Sequence, residues 1–157
     1  MKVGIIVYSQ TGNTRAVADV LREKLEGAGH EPHIEEVVPD GEVHPGKKDV
    51  EYSSAPDVGP YEAFVVAAPV QAFSLSVGMK AYLSQLEAGA MSGKQAVCFV
   101  TKQLPGKWTG GNRAIRQMRK LCEEKGASVI GSEIIVWSSR KREQMVREGA
   151  ERIAGLF

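Results

Sequence analysis

Six consecutive residues, Ser9, Gln10, Thr11, Gly12, Asn13 and Thr14, carry the clearest chemical signal in the chain. Ser9, Thr11 and Thr14 offer hydroxyl donors, and Asn13 offers an amide. Gly12 lets the backbone approach a ligand closely or adopt positive φ. The apolar run Val3 to Tyr8 leads into this segment. A helical pattern follows it at once, with Val17, Val20, Leu21, Leu25 and Ala28 on one face and Gly27 and Gly29 as stop signals. A loop at the start of a helix presents free backbone N–H groups and the positive end of the helix dipole. That combination suits a phosphate monoester and needs no lysine.

The rest of the chain supplies a frame for such a loop. Val3–Tyr8 reads as a strand buried on both faces, Ala63–Ala68 as another apolar strand, and His33–Val38, Gln95–Thr101 and Val129–Trp137 as three more. Helical stripes alternate with them. Met79, Tyr82, Leu83 and Leu86 mark a helix beginning near Ser76, and Ala114, Ile115, Met118, Leu121 and Cys122 mark another ending at Gly126. A last helix, capped by Ser138 or Ser139 and reaching about Leu156, has Met145, Val146, Gly149, Ala150 and Ile153 inward. Strands alternating with helices require crossovers, so the class is α/β with a parallel sheet. Residues 39–60, rich in Pro, Gly and charge, read as a long surface connection with room for one helical turn. Ligands on such sheets sit beyond the carboxyl ends of the strands. The loops Ser9–Thr14, Pro69–Ser76 and Lys102–Asn112 meet there.

Composition narrows the partners. The 157 residues suit one domain spanning 1–157, and 20 Lys plus Arg against 19 Asp plus Glu give no electrostatic footprint for nucleic acid or a membrane surface. No segment approaches membrane-spanning length or the core of a signal peptide, so a cytoplasmic protein is expected. Cys98 and Cys122 sit in apolar surroundings, lack redox spacing, and read as inert core residues. His30, His33 and His44 match no metal-site spacing and read as solvated, as does Arg140-Lys141-Arg142. Rival phosphate folds fail in the first loop. It lacks the Gly-Lys-Ser/Thr ending of a nucleoside-triphosphate loop and the three glycines of a dinucleotide fingerprint. Tyr8 and Ser9 stand where a receiver domain needs acids.

Ser9-Gln10-Thr11-Gly12-Asn13-Thr14 resembles the FMN-phosphate signature of the flavodoxin-like family, and it lies at the matching place after the first strand. Ala68-Pro69-Val70, Met79-Lys80-Ala81-Tyr82-Leu83 and Ser92-Gly93-Lys94 are similar to the wider family. The resemblance implies a three-layer, doubly wound, five-stranded parallel sheet in the order 2-1-3-4-5, with FMN as cofactor and no metal. Ser9, Gln10, Thr11, Gly12, Asn13 and Thr14 are then expected to hold the phosphate. Pro69, Val70, Gln71, Ala72 and Phe73 are expected on one side of the flavin ring, and Thr101, Lys102, Gln103, Trp108 and Gly111 on the other. No side-chain acid, base or nucleophile is needed to pass electrons.

Three departures from the family's electron carriers stand out. The chain is neutral rather than acidic, the loop after Ala68 has no glycine, and the loop after Thr101 has no tyrosine. The expected function is electron transfer between a reduced donor and a redox partner protein or small-molecule acceptor. An FMN-dependent NAD(P)H:quinone-type reductase and a phosphate-binding scaffold are the alternatives. Related reductases often pair subunits over the flavin, so a homodimer is a further expectation.

Overall fold

Successive side chains of a strand point to opposite faces, and in the central strands of this protein both faces are apolar. The computed structural model describes residues 1–157 apart from Pro45, Lys47, Lys48, Lys107 and Trp108. The chain runs β1 (Lys2–Val7), α1 (Asn13–Gly27), β2 (Glu31–Glu36), β3 (Ala63–Gln71), α2 (Val77–Gln85), β4 (Gln95–Lys102), α3 (Gly111–Glu124), β5 (Ser128–Val136) and α4 (Arg142–Ala154). The five strands lie parallel in the order β2-β1-β3-β4-β5, as expected. A short strand, Ser74–Leu75, turns back on the end of β3. On one face Ile6, Phe64, Val66, Cys98 and Val100 pack with Met79, Leu83 and Met118 of α2 and α3. On the other, Ile5, Val65, Val97 and Phe99 pack with Leu21 and Leu25 of α1 and Ile153 of α4. These side chains are wholly buried, and each large one is worth about 1.5–3 kcal/mol by removal from water.

Val17, Leu21 and Leu25 recur every fourth residue, which places all three on the buried face of α1. The helix ends where Gly29 takes φ +87°, a conformation that costs glycine little. Ala28, expected on the inner face, is instead the exposed C-cap. β2 begins two residues earlier than its sequence pattern suggests, and as an edge strand it is only half buried.

The segment after β2 departs most from expectation. It forms no helical turn among its described residues; Val38–Pro39 and Tyr52–Ser54 pair as an antiparallel ribbon. Val37, Val50, Val58 and Tyr61 are buried, so this is a packed flank rather than a loose connection. Backbone carbonyls and tyrosines tie it to α2. The Tyr82 hydroxyl donates to Pro56 O at 2.5 Å, Tyr52 donates to Gly78 O at 2.6 Å, and Gln85 donates to Val50 O at 2.9 Å. Burial pushes the Tyr52 phenol up to about 12.

α4 starts at Arg142, after the serines expected to cap it. Ser139 Oγ accepts from Lys141 N at 3.1 Å and Ser139 O from Arg142 N at 3.1 Å. The serine therefore shapes the preceding turn, while Gly155 closes the helix before Leu156. Arg142 is not simply solvated, because its guanidinium lies 4.7 Å from the Trp137 ring centre and donates to Trp137 O at 2.9 Å. Cys98 and Cys122 meet across the β4–α3 contact. The bond to Cys122, with burial, pushes the Cys98 thiol well up, which keeps it protonated and unreactive.

Candidate functional site

β1 ends deep in the sheet, where Tyr8 N still donates to Ala67 O at 3.0 Å, and the chain emerges at Ser9. Ser9 Oγ accepts from Gly12 N at 3.2 Å and from Arg15 N at 3.3 Å. The serine thereby shapes the loop and keeps its own proton free to donate. Gly12 is the N-cap of α1 with φ +87°, no side chain among the described residues caps the helix, and the first turn holds no acid. Among the described residues the N–H groups of Thr11, Asn13 and Thr14 have no intramolecular acceptor. These are the orphan donors that a helix start leaves for an anion. The Arg15 guanidinium turns away, pairing with Glu36 Oε1 at 2.6 Å and Asp19 Oδ1 at 3.3 Å.

Thr14 is buried, and its Oγ1 lies 2.7 Å from Oγ1 of Thr101 at the end of β4. One hydroxyl donates to the other, so one proton of the pair stays free. This contact fixes the first loop against the third.

The second loop is tighter than expected. β3 extends through Pro69, Val70 and Gln71, and the chain reverses over Ala72 and Phe73 to pair Gln71 with Ser74 and Val70 with Leu75. Ala72 has φ +49° and Phe73 φ +59°, a left-handed pair with no glycine or asparagine to ease it. The surroundings hold it. Gln117 Oε1 accepts from Ser74 Oγ and from Leu75 N, each at 2.8 Å. The backbone of Phe73 lies against Gly110, where a Cβ would fall 2.5 Å from Phe73 Cα and O. Gln71 spans outward, accepting from Val77 N at 3.4 Å and donating to Gln10 Oε1 at 3.3 Å. Phe73 itself is 57% exposed at the tip.

In the third loop Thr101 and Lys102 are buried and Gln103 is exposed. Lys102 Nζ donates to Gly106 O and Thr109 Oγ1, each at 2.8 Å, and so ties these three residues together. No carboxylate among the described residues pairs with it, and burial pulls its pKa down. Gly111 opens α3 against β5, where a Cβ would lie 3.2 Å from Ile134 Cγ2. Its visible role is close packing. Trp108 lies outside the described residues.

The flavodoxin family model matches residues 5–151, which takes in all three loops and every strand but the first half of β1. The chain belongs to the flavodoxin family. Among curated proteins no match is found. Among solved structures, oxidised flavodoxin 2 from Bacillus cereus is 18% identical with TM-score 0.70, each chain covered in full at 100%. A flavodoxin, WrbA-like protein from Agrobacterium tumefaciens is 12% identical with TM-score 0.70, over 98% of this chain and 95% of that one. A flavoprotein in complex with FMN from Lactobacillus acidophilus is 17% identical with TM-score 0.60, over 85% of this chain and 92% of that one.

The three expected loops converge on one edge of the sheet, with Gln10 touching Gln71 and Thr14 touching Thr101. Beside them a cleft of about 450 Å³ opens between Tyr8 and Gln10 on one wall and Pro39, Gly41 and Val43 on the other. Sequence reasoning missed the residues that brace the site. Gln117 acts at a distance in sequence, where no local pattern marks it, whereas Thr109 acts within its own loop, on Lys102, Leu104 and Gly106. Gly110 carried a signal, because the Gly110-Gly111 pair before a helical stripe marks a close backbone approach.

Proposed function

We propose that this protein carries FMN, the cofactor of its family, and passes electrons between a reduced donor and a partner protein or small acceptor. The observation that carries this reading is the loop 9–14, where unpaired N–H groups, free hydroxyl protons and an acid-free helix start meet at the end of β1. The residues present fit the phosphate of FMN. Ser9, Thr11, Asn13 and Thr14 would hold it through side chains, with the backbone of Gln10 and Gly12 assisting. FMN, when bound, supplies the capacity to take up and release one or two electrons. Pro69, Val70, Gln71, Ala72 and Phe73 on one side and Thr101, Lys102, Gln103 and Gly111 on the other would position the ring and exclude water from it. Trp108 belongs to the same proposal by sequence alone.

The purified protein is expected to be yellow and to release FMN on denaturation; a colourless protein that ignores added FMN would sink the reading. The loaded protein is then mixed with NADH or NADPH. Inertness until a protein reductase is added supports the carrier, whereas direct bleaching assigns the chain to the reductases instead.

A further inference from the structure

The near-zero net charge conceals a division along the chain. Residues 1–101 hold 8 Lys plus Arg and 13 Asp plus Glu, whereas residues 102–157 hold 12 and 6. The excess is densest in 102–122, which carries Lys102, Lys107, Arg113, Arg116, Arg119 and Lys120 with no carboxylate. Arg113, Arg116 and Lys120 are exposed and recur at the spacing that lines up one face of α3. Arg119 leaves that stripe, donating to Glu123 Oε1 at 2.9 Å and to Val129 O at 3.3 Å.

The three stripe cations differ from the arginines that the fold holds in ion pairs. Arg15 is held by Glu36 and Asp19, and Arg152 by Glu133. Arg113, Arg116 and Lys120 have no carboxylate partner among the described residues. Arg113 also sits in the first turn of α3, where the helix dipole disfavours a cation and no acid offsets it. Local stability therefore gives no reason for the stripe.

Its position does. Arg113 is one helical turn before Gln117, the residue that braces the Ala72–Phe73 turn, so the stripe starts beside the second loop of the site. Two large apolar side chains stand exposed in the neighbouring loops, Phe73 at 57% and Leu104 at 55%. An apolar tip flanked by free cations matches the anatomy of a transient protein interface, an apolar centre with a charged rim. Nucleic acid fits less well, because three free cations displace few counterions and hold a duplex weakly at physiological salt.

We propose that Arg113, Arg116 and Lys120, with Phe73 and Leu104, form the docking face for a redox partner whose own surface around its redox centre is acidic. This rests on the proposed FMN function and gives its partner a charge. Cytochrome c in its native basic form and in its succinylated, acidic form serves as a matched pair of probes. FMN-loaded protein is reduced with dithionite and mixed with each oxidised cytochrome. One electron leaves the reduced flavin and one haem iron(III) becomes iron(II), followed by haem absorbance.

At low ionic strength the succinylated form should react about tenfold faster than the native one, and salt should erase the difference. R113E/R116E/K120E should invert the preference, and R113Q/R116Q/K120Q should abolish it, both with unchanged FMN titrations. Equal rates for the two cytochromes, an unchanged preference in the FMN-loaded variants, or tight retention of duplex DNA at physiological salt overturns the docking face alone. A chain that takes up no FMN overturns the proposed function and this inference with it.

Discussion

Gly110→Ala isolates the brace that holds the second loop. Gly110 takes φ +92°, and a Cβ there would fall 2.5 Å from Phe73 Cα and O, atoms of a backbone that cannot swing aside. Two costs add. Placing an L side chain in the left-handed region costs about 1–2 kcal/mol, and forcing packed backbone apart costs roughly 1–3 kcal/mol more. The sum is about 3 kcal/mol. Gly93→Ala supplies the control, since Gly93 has φ +74° with nothing within 4 Å of its Cβ, and only the first cost applies. Urea titration of both variants, followed by far-UV circular dichroism, reads the difference directly. Gly110→Ala should lose about 2 kcal/mol more than Gly93→Ala. It should also weaken FMN binding, because the displaced Ala72–Phe73 turn is part of the proposed ring site. Equal losses in the two variants would show that Phe73 is free to move and that the turn is not held by α3.

Thr14→Val removes a proposed phosphate donor and leaves the Thr101 hydroxyl buried without its partner 2.7 Å away. Fluorescence titration should show FMN binding weakened roughly tenfold, about 1.4 kcal/mol, and unchanged affinity would remove Thr14 from the site. Ser76 is fully buried at the N-cap of α2, and its hydroxyl has no partner among the described residues. Ser76→Ala should therefore raise stability by about 1 kcal/mol in urea titration, since it deletes an unsatisfied group; destabilisation would mean the hydroxyl is bonded. Tyr52 and Tyr61 each have a phenol pushed by burial from 10.0 up to about 12, so the folded state holds protons that the unfolded chain releases. The stability they contribute is full below pH 10 and lost as pH climbs from 10 to about 12. Tyr52→Phe should flatten that alkaline fall, and an unaltered slope would contradict the assignment.

The parts of this fold legible in the sequence are those governed by local rules. Val3–Tyr8 announces a strand buried on both faces, and Ala63–Ala68 another strand, because a short continuous apolar run has few other uses. Ser9–Thr14 announces a strand-to-helix turn because Ser, Thr, Asn and Gly are turn and N-cap formers, and its reading as an anion site rests on the six-residue resemblance. The flank from Val37 to Tyr61 stayed hidden, since its buried Val37, Val50, Val58 and Tyr61 follow no period and stand among Pro, Gly and charges. The Ala72–Phe73 turn was illegible for a different reason. Turn chemistry signals positive φ through glycine or asparagine, and here the conformation is imposed by Gly110 and Gln117 from another element. Cys98 and Cys122 likewise meet only through the β4–α3 contact, which no spacing records.

The central claim is that the loop 9–14 recognises the phosphate of FMN, and comparing FMN with riboflavin on the apoprotein tests it most directly. The two ligands share the ring and the ribityl chain and differ in the phosphate. Two charge-assisted hydrogen bonds are worth about 3 kcal/mol or more together, so FMN should quench on binding at concentrations roughly a hundredfold or more below those riboflavin needs. Equal affinity for the two, or binding of neither, would contradict the account.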